Sequence, residues 1–264
     1  MKRLLSILLA TAVAATACAS IAIAGSFVGT PDNDVLNGTP SPDQLYGEDG
    51  ADEIDGLASN DYLEGGPGGD QLDGGPGDDL LIGGTGDDEL TSGGGMDVAY
   101  AGAGNDTIVG ENGNDVLFGQ AGDDRVFGGS GNDRISTGTG TDFADGGDGR
   151  DWVSGDTDLP SEETTLNGGA GNDRIAATGP GRFTADGGTG DDHVVTSRGP
   201  DTVTGGGGHD RLSTGAGRDT IDVADGRRDV VKCGAGKDTV KADRLDVLHG
   251  CEQVTRETIR LPRR

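Results

Sequence analysis

A nine-residue register governs this chain. From Gly29 it divides without a gap into fourteen units that end at Ser154. Gly65-Gly-Pro-Gly-Gly-Asp-Gln-Leu-Asp73, Gly83-Gly-Thr-Gly-Asp-Asp-Glu-Leu-Thr91 and Gly128-Gly-Ser-Gly-Asn-Asp-Arg-Ile-Ser136 are examples. The sixth position is Asp in every unit, and the eighth is apolar in every unit, from Leu36 to Val153. A fixed period of this kind marks a repeat architecture rather than a single globular core.

The first six positions are rich in Gly and polar residues, which suits turns that need φ > 0. The last three place one apolar residue between two variable ones. That is a short strand with one side chain inward and two outward. Two units then make a coil of 18 residues: strand, turn, strand, turn. Stacked coils give two parallel sheets around a thin core of Leu, Ile and Val. The turns stack as well, so the position-6 carboxylates fall into columns spaced about 4.8 Å. Left alone, such columns repel strongly. A hard dication held by carboxylate and carbonyl oxygens resolves the repulsion, and Ca²⁺ takes 6–8 such ligands.

Composition sharpens the same choice. The 264 residues include 53 glycines and carry a formal net charge of −27, and only 3% are aromatic. So little apolar area leaves two outcomes, a disordered acidic chain or a fold completed by cations. The charge argues against nucleic acid as a partner, because phosphates would be repelled.

These units resemble the RTX, or hemolysin-type, calcium-binding nonapeptide repeat G-G-x-G-x-D-x-U-x. The resemblance implies an all-β parallel β-roll, a right-handed solenoid with two units per coil. It implies that Ca²⁺ sits between turns of successive coils, held by the position-6 Asp and by backbone carbonyls of the Gly-rich loop. Carried over by position, the ligands in the first block (residues 25–154) are Asp34, Asp43, Asp52, Asp61, Asp70, Asp79, Asp88, Asp97, Asp106, Asp115, Asp124, Asp133, Asp142 and Asp151. Sites that bridge alternate units allow at most about 12 ions in this block. Asp32 and Ser41 stand where the first two units should have Gly, so the first coil is expected to bind weakly.

The register breaks at residues 155–167, expected as an insert loop with Pro160 and Glu162-Glu163. A second, more degenerate block follows over 168–254, with Asp173, Asp192, Asp201, Asp210 and Asp219 as its ligands. Its ten-residue unit 177–186 has Arg182 where Asp belongs. After the extra residue Val223, two more units carry Asp229 and Asp238, and residues 242–254 read as an irregular last coil. Arg227 takes a Gly position, and His209, Arg218 and Lys237 precede their Asp residues, so fewer or weaker ions are expected here.

Both ends carry further signals. Lys2 and Arg3, an apolar run from Leu4 to Ala17, and the small residues Ala22 and Ala24 fit a secretory signal peptide over residues 1–24. Export and extracellular release follow from that reading. A lipid anchor through Cys18 is the minor alternative, and the remaining chain has no expected membrane span. Cys233 and Cys251 remain as an even pair in an oxidising compartment. They lie one coil apart, so stacking would bring their Cα atoms to about 4.8 Å, within the ~4.4–6.8 Å that a disulfide accepts. Two free thiols are the rival state. The segment from Cys233 to Cys251-Glu also resembles the ending of secreted calcium-binding repeat proteins of actinobacteria. Residues 255–264 form a basic tail.

Outward positions 7 and 9 of the even units gather Tyr46, Tyr62, Ile82, Tyr100, Phe118 and Trp152 in one stripe, broken by Arg134. This stripe is a candidate contact face for another copy or a cell-surface polymer, or simply a ladder of good β-formers. No zinc, nucleophile-elbow or phosphate-loop motif is present, and no enzyme activity is expected. The sequence therefore points to a secreted calcium-binding β-roll that folds on loading Ca²⁺ outside the cell. The alternatives are a calcium-stiffened adhesive surface protein and an accessory module of an extracellular carbohydrate-active system. An ice-binding roll needs a regular outward Thr row, and position 3 of the first block offers only Thr85 and Thr139.

Overall fold

The computed structural model describes residues 25–257. The signal-peptide segment 1–24, Cys18 and residues 258–264 of the basic tail lie outside the described residues. Consecutive units alternate between two parallel 13-stranded sheets. The first sheet starts with Ser26–Val28 and takes the even units; the second starts with Val35–Asn37 and takes the odd ones. A small two-stranded pairing joins Ala216–Gly217 to Ala235–Gly236. The molecule is thus an all-β solenoid, as the repeat predicts.

Residues 18 apart stack in register. Leu117, for example, lies between Ala99 and Ile135 in adjacent strands. The position-8 side chains form the core, and Leu45, Leu63, Leu81, Leu90, Ile108 and Leu117 are fully buried. One inward residue per unit suffices because the two sheets sit back to back and each side chain packs between its neighbours above and below. Phe27 and Leu36 cover the N-terminal end of this core only in part.

The turns explain the glycines. Gly84 and Gly86 have φ of +125° and +121°, and a Cβ on Gly86 would collide with the Gly68 carbonyl of the preceding coil. Only Gly combines that backbone with that closeness.

Several expectations need correction. In segment 155–167, strand Trp152–Asp156 reaches into the start and strand Glu163–Ala170 occupies the end. The loop is confined to residues 157–162, where Glu162 Oε2 accepts the N–H groups of Asp158 and Leu159 at 2.7 and 3.0 Å. The strand register then pairs Leu166 with Ala144, so the segment supplies an ordinary second-sheet unit with extra residues in its turn. In the ten-residue unit the added residue precedes the strand. Phe183, not Arg182, therefore falls in the position-6 slot, fully buried, while Arg182 points outward and pairs with Glu163 at 3.3 Å. The last coil is more regular than expected, with strands Val247–His249 and Gln253–Arg256 continuing the two sheets into the start of the basic tail.

Candidate metal centre

From Asp43 onward the position-6 carboxylates are buried, and with half-buried Asp34 they form two ladders. In each ladder the backbone N–H of one Asp donates to Oδ1 of the Asp one coil further on. Asp34 to Asp52 (2.8 Å), Asp79 to Asp97 (2.7 Å), Asp97 to Asp115 (2.9 Å) and Asp192 to Asp210 (2.9 Å) are successive examples. This fixes each carboxylate in one orientation. It also spends one oxygen on structure and leaves the other, Oδ2, aimed into the turn.

From Asp52 onward that second oxygen has no partner. The buried, unpaired Oδ2 atoms belong to Asp52, Asp61, Asp70, Asp79, Asp88, Asp97, Asp106, Asp115, Asp124, Asp133, Asp142 and Asp151 in the first block. In the second block they belong to Asp173, Asp192, Asp201, Asp210, Asp219, Asp229 and Asp238. Buried polar atoms are nearly always paired, so a repeated exception calls for a ligand. Where the unit opens with Gly, the orphan commonly faces a backbone carbonyl of the next coil. A Cβ built on Gly83 would lie 2.5 Å from Asp88 Oδ2 and 2.6 Å from the Ala101 carbonyl oxygen. One built on Gly56 would meet Asp61 Oδ2 at 2.9 Å and the Gly74 carbonyl oxygen at 2.8 Å. Carboxylate and carbonyl oxygens converging on one small space suit a hard cation such as Ca²⁺. Among the described residues no three His, Cys, Asp or Glu side chains converge, so a cation in these turns draws on carbonyl oxygen as well.

Electrostatics point the same way. Burial pushes the carboxyls of Asp88, Asp97, Asp124, Asp151, Asp192, Asp210 and Asp229 up to about 7, and neighbouring Asp charges add to the rise. Asp61, Asp79, Asp115 and Asp201 are pushed up to about 6, again mainly by burial. The backbone N–H on Oδ1, from Phe183 at Asp201, offsets only part of this. A column of ionised carboxylates in this setting is unfavourable unless positive charge enters it.

The first coil differs. Asp34 Oδ2 accepts the Thr30 N–H at 2.5 Å and its hydroxyl at 2.9 Å, and Thr39 does the same for Asp43. Their second oxygens are already satisfied, which gives a physical basis for the expected weakness there. Where the repeat is interrupted, other groups fill the slot. Thr164 Oγ1 takes the Asp142 N–H, the Phe183 N–H donates to Asp201, and in the last coil Asp246 and Glu252 receive Asp229 and Asp238. Asp246 and Glu252 were hidden in the sequence because their coils contain 17 and 14 residues instead of 18.

The RTX calcium-binding nonapeptide repeat matches residues 28–63, 55–90, 64–99, 91–126, 100–135, 127–158, 164–179 and 186–221. The chain belongs to the RTX calcium-binding repeat family. The matched segments cover most of the solenoid, and the roll is that of a calcium-binding repeat protein. No curated protein matches the chain. Among the described residues no helix is long and apolar enough to cross a membrane.

A second polar ladder runs on the outer side of the turns and escaped the sequence reading. At position 5, Oδ1 of Asn60 accepts from Asp78 N, Asp78 from Met96, Asp87 from Asn105, and Asn105 from Asp123, at 2.8–3.0 Å. Its direction opposes that of the position-6 ladder. Asn and Asp in a turn look generic in sequence, and only stacking reveals their role.

Cys233 and Cys251 form a disulfide with Cα atoms 5.2 Å apart. The six residues of the candidate contact stripe all lie on strands of the first sheet. Tyr46 packs on Tyr62 at 5.4 Å, Tyr100 stacks on Phe118 at 4.8 Å, and Trp152 is 47% exposed. Arg134 falls between Phe118 and Trp152 in the strand order, and its guanidinium lies 5.6 Å from the Trp152 ring. The second sheet has a smaller cluster of its own, Phe127 and Phe143 with Arg125. It also carries an outward Thr row, Thr165, Thr184, Thr202, Thr220 and Thr239, paired coil to coil. The insert and the odd-length units disguise this row in the sequence. Beside it run Asp186, Asp222 and Lys241, so the face is charged rather than a flat Thr surface.

Proposed function

We propose that the chain is exported through its N-terminal segment, folds outside the cell as Ca²⁺ fills the turns, and acts there as a non-catalytic, calcium-built rod. The observation that carries this reading is the repeated buried Oδ2 atom, unpaired and facing a carbonyl. Cytosolic calcium is too scarce for sites of modest affinity, whereas extracellular modules with Kd of about 10⁻⁴–10⁻³ M load outside. Metal binding then becomes folding free energy. The first coil takes up the chain at the expected cleavage point, with the Gly25 N–H donating to Asp43 Oδ1.

The test combines export and folding. Expressed with residues 1–24 in a secreting host, the protein should appear in the medium with Gly25 as its first residue. It should resist protease in millimolar Ca²⁺ and be degraded in chelator. Retention in the cytosol, or equal resistance in chelator, would reject the proposal. A second reading, a calcium-stiffened contact protein, is favoured by the exposed Trp152 and the aromatic pairs on the first sheet. Tyr100→Ser with Phe118→Ser should then weaken binding to cells while leaving the calcium response intact.

A further inference from the structure

The two sheets carry opposite charge on opposite halves of the rod. On the first sheet, position 7 of five successive coils presents Arg134, Trp152, Arg174, His193 and Arg211, each in register with the next. All five are exposed. Beside them run Ser136, Ser154, Ala176, Val195 and Ser213, none of them charged. Among the described residues Arg134, Arg174 and Arg211 make no ion pair, although the chain carries a net charge of −27. On the second sheet, near the N-terminal end, Glu53, Gln71 and Glu89 stack at position 7, and Asp55 lies directly beside Asp73 at position 9.

Like charges directly opposite each other on adjacent strands are destabilising. Asp55 and Asp73 stand so opposed, Arg174 and Arg211 flank His193 in one line, and the two rows, of opposite sign, share a pitch of about 4.8 Å per coil. They face away from each other within one molecule and so cannot neutralise one another there. We propose that the basic row of one molecule docks on the acidic row of a second copy, with Arg174 and Arg211 against Glu53, Asp55 and Asp73. The proposal rests on the calcium-loaded roll described above. The two surfaces are different patches, so the contact is head-to-tail and open, producing staggered chains rather than a closed dimer. In a parallel arrangement the centres of the two rows are offset by about six coils, roughly 29 Å. The footprint is a few coils by one strand width, far below the ~800 Å² per partner of a standard interface. Association is therefore weak and salt-sensitive.

The experiment measures weight-average mass by sedimentation in Ca²⁺ at a few hundred micromolar protein, with circular dichroism on each sample. Wild type should exceed twice the monomer mass at low salt and return to monomer at 1 M salt, where the Debye length is ~3 Å. Variant one carries R134Q, R174Q and R211Q; variant two carries E53Q, D55N and D73N. Each alone should be monomeric. An equimolar mixture should stop at a one-to-one complex, because only one complementary pair of rows survives. Folded wild type that stays monomeric, or single variants that associate like wild type, would overturn the proposal. So would a monomer that binds an anionic polysaccharide resin through the same arginines, since the row would then serve a polymer. Samples without β-structure in Ca²⁺ would instead overturn the calcium-roll reading.

Discussion

Replacing a buried position-6 carboxylate by its isosteric amide should favour the roll far more without calcium than with it. Asp97 and Asp115 are successive members of one ladder, 1% and 0% exposed, each with Oδ1 holding a backbone N–H and Oδ2 unpaired. Burial lifts Asp115 from 3.8 to about 6 and Asp97 to about 7. At 1.36 kcal/mol per pKa unit, the ionised forms cost the metal-free roll about 3 and about 4 kcal/mol at neutral pH. Asn keeps the Oδ1 acceptor and removes the charge. At position 115 it also turns an N–H toward the Gly128 carbonyl, which shares the same cradle. The D97N/D115N chain should therefore be more stable than wild type in chelator by several kcal/mol. In calcium that advantage should shrink. Each lost site forfeits about 1.4–2.7 kcal/mol when Ca²⁺ stands ten- to a hundredfold above Kd. The assay is urea unfolding followed by circular dichroism in chelator and in Ca²⁺, with an osmolyte added to both if the chelated wild type is unfolded. A variant destabilised equally in both conditions would refute the reasoning, because the carboxylates would then be ordinary structural groups.

Further outcomes follow from the same geometry. The metal-free roll binds more protons than the unfolded chain, because its carboxyls titrate near 6–7 instead of 3.8. Its stability therefore falls as pH rises from about 4 to about 7, and chelated protein should gain β signal on acidification while the calcium response shrinks. Reducing Cys233–Cys251 should cost about 3 kcal/mol by the loop-closure estimate. Hydrogen exchange should place the loosening in the last coils, and exchange unchanged there would contradict it. Leu57 sits in a turn at φ 74° and is 40% exposed, so Leu57→Gly should stabilise the protein by about 1 kcal/mol in thermal unfolding. Leu117→Ala, at a fully buried core position, should cost about 2–5 kcal/mol.

The period of nine made the solenoid, its two sheets and most of the inward residues legible, because one register dictates turn, strand and core together. Legibility failed where the register slips. Phe183 and Thr164 occupy position-6 slots that no carboxylate motif could reveal, and Asp246 and Glu252 sit in shortened coils. The position-5 ladder was unreadable for another reason. Its hydrogen bonds join residues 18 apart, such as Asn60 and Asp78, and they exist only once coils stack. The satisfied carboxylates of Asp34 and Asp43 were half legible. Asp32 and Ser41 flagged that coil, but Thr30 and Thr39 supply the hydrogen bonds.

Calcium titration of the chelated mature chain, with bound ions counted at equilibrium and backbone structure followed by circular dichroism, tests the central claim most directly. The account predicts a coil-like spectrum without metal and a cooperative rise of β signal as millimolar Ca²⁺ is reached, with on the order of ten or more ions per chain. A β spectrum that persists in excess chelator, or a folded chain holding only one or two ions, would contradict it.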